Sequence, residues 1–178
     1  MTAVQDVQLD RLDARLIELL ADEPRIGVLE CSRRLRVARG TVQARLDKLV
    51  ARGVIRGFGP DLAPAAIGFG VTSFVTLEIS QRHGHDPVAA HLRRIPEVLE
   101  AYTITGSGDM LCRIVARSNA DLQRVIDEIV SYRGIARAST IIALAEQIPY
   151  RVLPLVRAAA TGDVGPTPED PGGEPSRV

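Results

Sequence analysis

The chain has 178 residues, 46% of them hydrophobic, with 22 basic and 22 acidic side chains and a formal net charge of +0. That length holds one or two small domains with real cores, and no stretch is long and apolar enough to span a membrane. Gln5, Asp6 and Asp10 stand where a basic-then-apolar leader would be, so the expected location is the cytoplasm. Cys31 and Cys112 fall in different predicted domains and read as small core residues in a reducing compartment, neither a disulfide nor a metal pair.

Leu9, Leu12, Leu16, Leu19 and Leu20 recur at helical spacing and predict an amphipathic helix over residues 9–21, which Pro24 ends. Val28, Cys31 and Leu35 predict a short second helix. A tight turn at Arg36-Val37 separates it from a third apolar stripe, Val42, Leu46, Leu49 and Val50. On a helix these four lie together, while Gly40, Thr41, Ala44, Asp47 and Lys48 point the opposite way, with Arg39 and Arg45 on the edges. Gly53 supplies a C-cap, and Val54, Ile55 and Phe58 alternate with polar or small residues as one side of a wing would. Three packed helices and a hairpin make a winged helix-turn-helix, whose third helix enters the major groove with its cations over the phosphates.

The zero net charge hides a segregation. Residues 1–57 carry eleven basic side chains against eight acidic ones, and residues 33–56 carry Arg33, Arg34, Arg36, Arg39, Arg45, Lys48, Arg52 and Arg56 against Asp47 alone. Positive charge is concentrated where DNA would sit. The expected DNA-binding residues are Arg33, Arg39, Thr41, Gln43, Arg45 and Lys48. Gly40 and Ala44 cannot hydrogen-bond base edges, so the arginines are expected to supply most of the affinity, with limited base contact from Thr41 and Gln43.

The run Leu12-Asp13, Leu19-Leu20, Arg25-Ile26, Thr41-Val42, Arg45-Leu46, Leu49 and Gly53-Val54-Ile55 resembles the Lrp/AsnC, or feast/famine, family of bacterial and archaeal transcription regulators. The resemblance covers about residues 9–144. The chain departs from the family pattern at Arg36 and Ala38, where the family usually has a turn Gly and a Ser capping the recognition helix. It departs again at Arg39, in place of a common Pro, and at Ala44, in place of a common basic residue.

Beyond Phe58 the composition shifts. Pro60, Pro64, Gly68 and Gly70 make residues 58–70 a linker containing a short extended piece. Residues 71–80 read as a strand, and Asp86-Pro87 as the N-cap and first-position proline of a helix reaching Ile95. Residues 98–105 and 110–116 read as two strands joined by Gly106-Ser107-Gly108-Asp109. Ser118 opens another helix, with an apolar face of Leu122, Val125, Ile126, Ile129 and Val130, which Arg133-Gly134 stops; residues 135–144 form a last, β-branched strand.

The expected fold class is therefore α+β: a winged helix-turn-helix DNA-binding domain over residues 1–57, the linker, and a ferredoxin-like βαββαβ domain for ligand binding and oligomerisation over residues 71–150. Such a sheet has one face under two helices and one bare. Phe74, Thr76, Ile104, Cys112, Ile114 and Ile142 are the candidates to bury that face in a homodimer. Residues 151–178 are expected to form a C-terminal arm, with a short helix as the alternative up to residue 160, and a disordered tail from 162 onward.

Gly106, Ser107, Gly108 and Asp109 admit two readings. They suit an ordinary hairpin turn. They also suit an amino acid zwitterion, with backbone N–H groups on its carboxylate and Asp109 on its ammonium. The family resemblance implies the second: a Gly-rich turn ending in Asp forms the effector pocket there, commonly where dimers meet, with Thr140 lining the pocket of a neighbouring subunit. It also implies dimers that assemble further.

Remaining chemistry is thin. His83, His85 and His91 could hold a metal from a strand, but Gly84 and Asp86-Pro87 make this a loop, and no metal or other cofactor is expected. No nucleophile with a partnered base appears, so the chain does not read as an enzyme. The expected function is a DNA-binding transcription regulator whose DNA binding or oligomeric state responds to a small effector, an amino acid by family habit. The alternatives are an architectural DNA-binding protein without effector, and a small-molecule-binding module whose basic helices serve protein contacts.

Overall fold

The structure is a computed structural model that describes residues 8–80, 82 and 84–161. In chain order it runs α1 (Arg11–Asp22), α2 (Val28–Leu35), α3 (Arg39–Ala51), a 3-10 turn (Pro64–Ile67), β1 (Val71–Ile79), α4 (His85–Leu92), β2 (Val98–Thr103), β3 (Met110–Ala116), α5 (Asn119–Val130), β4 (Ile135–Ile142) and α6 (Leu153–Thr161). It divides into two compact units. Among the described residues the first comprises 8–59 and 149–161, and the second 60–148.

In the first unit, α1 opens on a capping box. The Asp10 carboxylate accepts from the N–H groups of Leu12 and Asp13, both at 2.8 Å, and the Asp13 carboxylate accepts from Asp10 N–H at 3.3 Å. The helix stops with Glu23 as C-cap, because Pro24 disfavours helical geometry in the residue before it. The two following helices both end in Schellman turns, in which two successive N–H groups bond back to the last turn. After α2, Val37 N–H donates to Ser32 O at 3.1 Å and Arg36 N–H to Arg33 O at 3.3 Å; after α3, Val54 N–H donates to Leu49 O and Gly53 N–H to Val50 O, both at 2.9 Å. The left-handed position is Gly53 in one (φ 71) and Arg36 in the other (φ 57).

Leu16, Cys31, Leu35, Val42 and Leu49 make the core of this unit, with Leu12, Leu46, Val54 and Ile55 packed on it. Val50 is not part of the stripe expected of it: it is exposed. No strand forms over residues 54–60, so the hairpin of the wing is not paired. The amides of Val54 and Ile55 both bond to the Leu49 carbonyl, which leaves neither for a strand ladder. The expected arm includes a helix: α6 lies on α1, with Val156 buried and Arg157 Nε donating to Glu18 Oε1 at 2.6 Å. The tail from residue 162 lies outside the described residues.

In the second unit the linker carries the 3-10 turn, capped by Gly68 at φ 96, where an extended piece was expected. The sheet order is β2-β3-β1-β4 with every pair antiparallel. The α4 helix starts two residues earlier than Asp86-Pro87 predicts, with Gly84 as N-cap. Pro87 is tolerated at the third position because the first N–H groups of a helix have no partner within it. Ser118 is the N-cap of α5, its Oγ accepting from Asp121 N–H at 3.1 Å.

The core is one sheet face, Val75, Leu77, Cys112 and Ile114, under Val88 and Leu92 of α4 and Leu122, Val125 and Ile129 of α5. Three residues expected on the bare face, Cys112, Ile114 and Ile142, are on the covered one. β1 and β3 pair Val75 with Cys112 and Ser73 with Ile114, and side chains directly across a ladder share a face. Ile142 pairs with Ser73 and takes the same side, and Ile104 lies just past the end of β2. The bare face carries Phe74, Thr76, Tyr102, Leu111, Arg113 and Ile141.

Candidate DNA-binding face and effector turn

Burial of Val42 and Leu49 turns Arg39, Thr41, Gln43, Ala44, Asp47 and Lys48 of α3 to solvent. Each expected DNA-binding residue has a distinct setting. Arg39 begins α3 without a side-chain cap at Ala38 behind it. Gln43 Nε2 donates to Asp47 Oδ1 at 2.8 Å, one turn along the same helix. Arg33 projects from α2 with its side chain 69% exposed, 3.6 Å from Glu30. Arg45 differs from the rest: its Nη1 donates to Asp10 Oδ2 at 2.5 Å and to Asp13 Oδ1 at 2.7 Å. A shallow concavity of about 520 Å³ is lined by Asp10, Gly40, Thr41, Ala44, Arg45 and Lys48.

Asp10 and Asp13 are the functional-face residues that reading the sequence missed as partners of α3. The Asp-x-x-Asp spacing at the start of an apolar helix was the available signal. The Asp13 backbone N–H, and then the Arg45 guanidinium, hold the Asp10 carboxyl below the usual carboxylate range.

The effector turn is laced to β1. Asp109 N–H donates to Leu77 O at 2.8 Å, Asp109 O accepts from Ile104 N–H at 3.0 Å, and Asp109 Oδ2 accepts from Ile79 N–H at 2.6 Å. Gly106 sits at φ 111, a region closed to most L residues. Gly108 packs directly on Thr76. Ser107 is exposed. Thr140 pairs with Val75 across from β4, whereas Asp109 lies beyond Leu77 on the opposite side of β1. The fold thus brings Gly106, Ser107, Gly108 and Asp109 together and leaves Thr140 on the order of 10 Å from them within one chain.

Among the described residues no three His, Cys, Asp or Glu side chains cluster closely enough to hold a metal, and no helix is long and apolar enough to cross a membrane. His91 Nε2 lies 3.1 Å from the carbonyl oxygens of Glu128 and Ile129, and its ring stacks on Tyr132. His83 lies outside the described residues.

Residues 9–56 match the winged helix-turn-helix DNA-binding family, and residues 72–153 match the Lrp/AsnC ligand binding domain. The HTH-type transcriptional regulator FL11 of Pyrococcus abyssi is 30% identical over 149 residues, 84% of this chain and 98% of that protein. The chain belongs to the Lrp/AsnC family. The structure of Escherichia coli AsnC aligns with a TM-score of 0.77 at 28% identity, covering 83% of this chain and 100% of AsnC. A feast or famine regulatory protein from Mycobacterium tuberculosis, complexed with L-methionine, aligns with a TM-score of 0.72 at 26% identity over 81% of this chain and 97% of its own. This Lrp/AsnC protein is a transcriptional regulator with a DNA-binding helix-turn-helix domain, and not an enzyme.

Proposed function

We propose that this Lrp/AsnC regulator works in the cytoplasm as a homodimer or larger assembly, reads double-stranded DNA with α3, and changes its DNA binding when an amino acid occupies Gly106, Ser107, Gly108 and Asp109. The observation that carries the reading is the union, on one chain, of a cation-bearing recognition helix with a glycine turn held against β1 in a ligand-binding domain. The L-methionine complex of the M. tuberculosis relative supports an amino acid as the ligand class. The half-exposed apolar residues Phe74, Tyr102 and Ile141 on the bare sheet face support dimerisation. Arg33, Arg39 and Lys48 serve phosphates, Thr41 and Gln43 the bases. Effector and DNA are then coupled reciprocally, each altering the affinity for the other by the same factor.

One observation favours the architectural alternative. Asp109 already accepts the Ile79 N–H, so the turn has a structural reason to exist without a ligand. The two readings part in one titration: binding to DNA from upstream of its own gene across several salt concentrations, with a panel of amino acids, for wild type and Asp109→Asn. The Asn side chain retains an oxygen for Ile79 N–H and removes the charge. Affinity falling steeply with salt, and shifted by one amino acid in the wild type only, upholds the effector reading. Salt-dependent binding indifferent to every amino acid leaves the architectural one.

A further inference from the structure

Arg45 faces inward from the edge of α3. Its side chain is 28% exposed, against 69% for Arg33. Both of its acceptors are fixed before it arrives. Asp13 is 3% exposed, and Asp10 and Asp13 are locked by the reciprocal hydrogen bonds that begin α1. The guanidinium is permanently charged and presents its donors in a rigid plane, so two carboxylates on one nitrogen restrict both its position and its tilt. A phosphate would have to compete with two anions already in place. Asp10 also lines the concavity beside Thr41 and Lys48, so without Arg45 its charge would stand uncompensated next to the DNA.

We infer that Arg45 is a positioning residue for DNA binding: it pins the reading face of α3 to the capping box of α1 and screens Asp10, and does not itself take a phosphate. The inference rests on α3 being the DNA-reading helix, as proposed above. It reverses the simple electrostatic expectation for Asp10, whose neutralisation would otherwise tighten DNA binding.

The test uses the full chain and DNA from upstream of its own gene, titrated by fluorescence anisotropy at several salt concentrations, with a thermal melt of each variant. Arg45→Gln is expected to weaken binding on the order of tenfold with the slope of log affinity against log salt unchanged, since no phosphate contact is lost. Asp10→Asn keeps an effective N-cap, so the fold persists even where Arg45→Gln melts early. It is expected to weaken DNA binding roughly threefold although it removes a negative charge, and the double variant is expected to be no weaker than Arg45→Gln alone, as non-additivity within one contact requires. A slope shallower by about 0.9 in Arg45→Gln, the signature of one lost phosphate, overturns the inference, as does tighter binding by Asp10→Asn. Wild-type protein that binds DNA at no salt concentration overturns both this inference and the reading it rests on.

Discussion

Gly108 and Thr76 make a contact that only a glycine permits: a Cβ at position 108 would lie 2.3 Å from Thr76 Cγ2 and 3.3 Å from the Leu77 carbonyl oxygen. Thr76 is β-branched and resists rotation about χ1, and the Leu77 oxygen is held by Asp109 N–H. Gly108→Ala therefore pushes the turn off β1. The expected cost is about 1–3 kcal/mol, measured as a lower midpoint in urea. Adding Thr76→Ser, which deletes Cγ2, should recover most of the loss, and failure to recover would place the strain elsewhere.

Arg36 occupies the left-handed position that ends α2, at φ 57 and ψ 45. An L side chain there costs about 1–2 kcal/mol, while glycine adds about 0.5–1 kcal/mol of unfolded-state entropy. Since the Arg36 side chain is exposed, Arg36→Gly should raise stability by a net of roughly 0.5–1 kcal/mol. A urea melt that finds Arg36→Gly destabilised would mean that the arginine makes a compensating contact.

Ala38 holds the N-cap position of α3 in extended geometry, φ −63 and ψ 145, with no side-chain bond to the first turn. A serine hydroxyl there would accept from an N–H of Gly40 or Thr41. Ala38→Ser should stabilise the protein by about 1 kcal/mol and slow hydrogen exchange at those amides. An amide engaged by serine is unavailable to a phosphate, so DNA affinity should not rise in parallel. Gains in both would mean that the cap orders α3 more than it competes.

Local devices were legible in the chain, and those resting on distant pairing were not. The leucine spacing of α1, the Gly53 cap and the Ser118 cap each depend on neighbours within a few residues, and each is where the pattern put it. The partners of Arg45 lie 32 and 35 residues upstream, and no periodicity points to them. The bare sheet face was misread because β3 is apolar in both phases: Cys112 and Ile114 on one side, Leu111 and Val115 on the other. Only the β1/β3 register decides between them. The strand expected at Val54 and Ile55 fails for a local reason, since these residues alternate like a strand but their amides cap α3. In the effector turn the glycines were legible as a pattern, whereas the need for one at 108 comes from Thr76 across the sheet.

Ser73 Oγ is fully buried on the helix-covered face and has no hydrogen-bond partner among the described residues. Its neighbours across the ladder are Ile114 and Ile142, so nothing polar stands opposite it. A buried hydroxyl without a partner costs about 1–3 kcal/mol in desolvation, and alanine removes it at the cost of a cavity smaller than a methyl group. Ser73→Ala should raise stability by about 1 kcal/mol, read in urea with an unchanged m-value. A loss of stability would indicate that an ordered water satisfies the hydroxyl.

Two carboxylates bind fewer protons in the folded protein than in the unfolded chain. Asp10 is held low by the Asp13 N–H and then by Arg45; Asp121 is held low by the Arg117 N–H and then by Arg124. A depressed folded pKa contributes stability that is complete above the unfolded value of 3.8 and is lost as pH falls through the lower folded value. Thermal midpoints should therefore change little from these groups between pH 7 and about pH 5, then fall below about pH 4. Asp10→Asn should be less stable than wild type at neutral pH and converge with it in acid, because protonation removes the same charge from the wild type. A stability gap that persists unchanged well below the folded pKa would assign the role of Asp10 to its cap geometry and not to its charge.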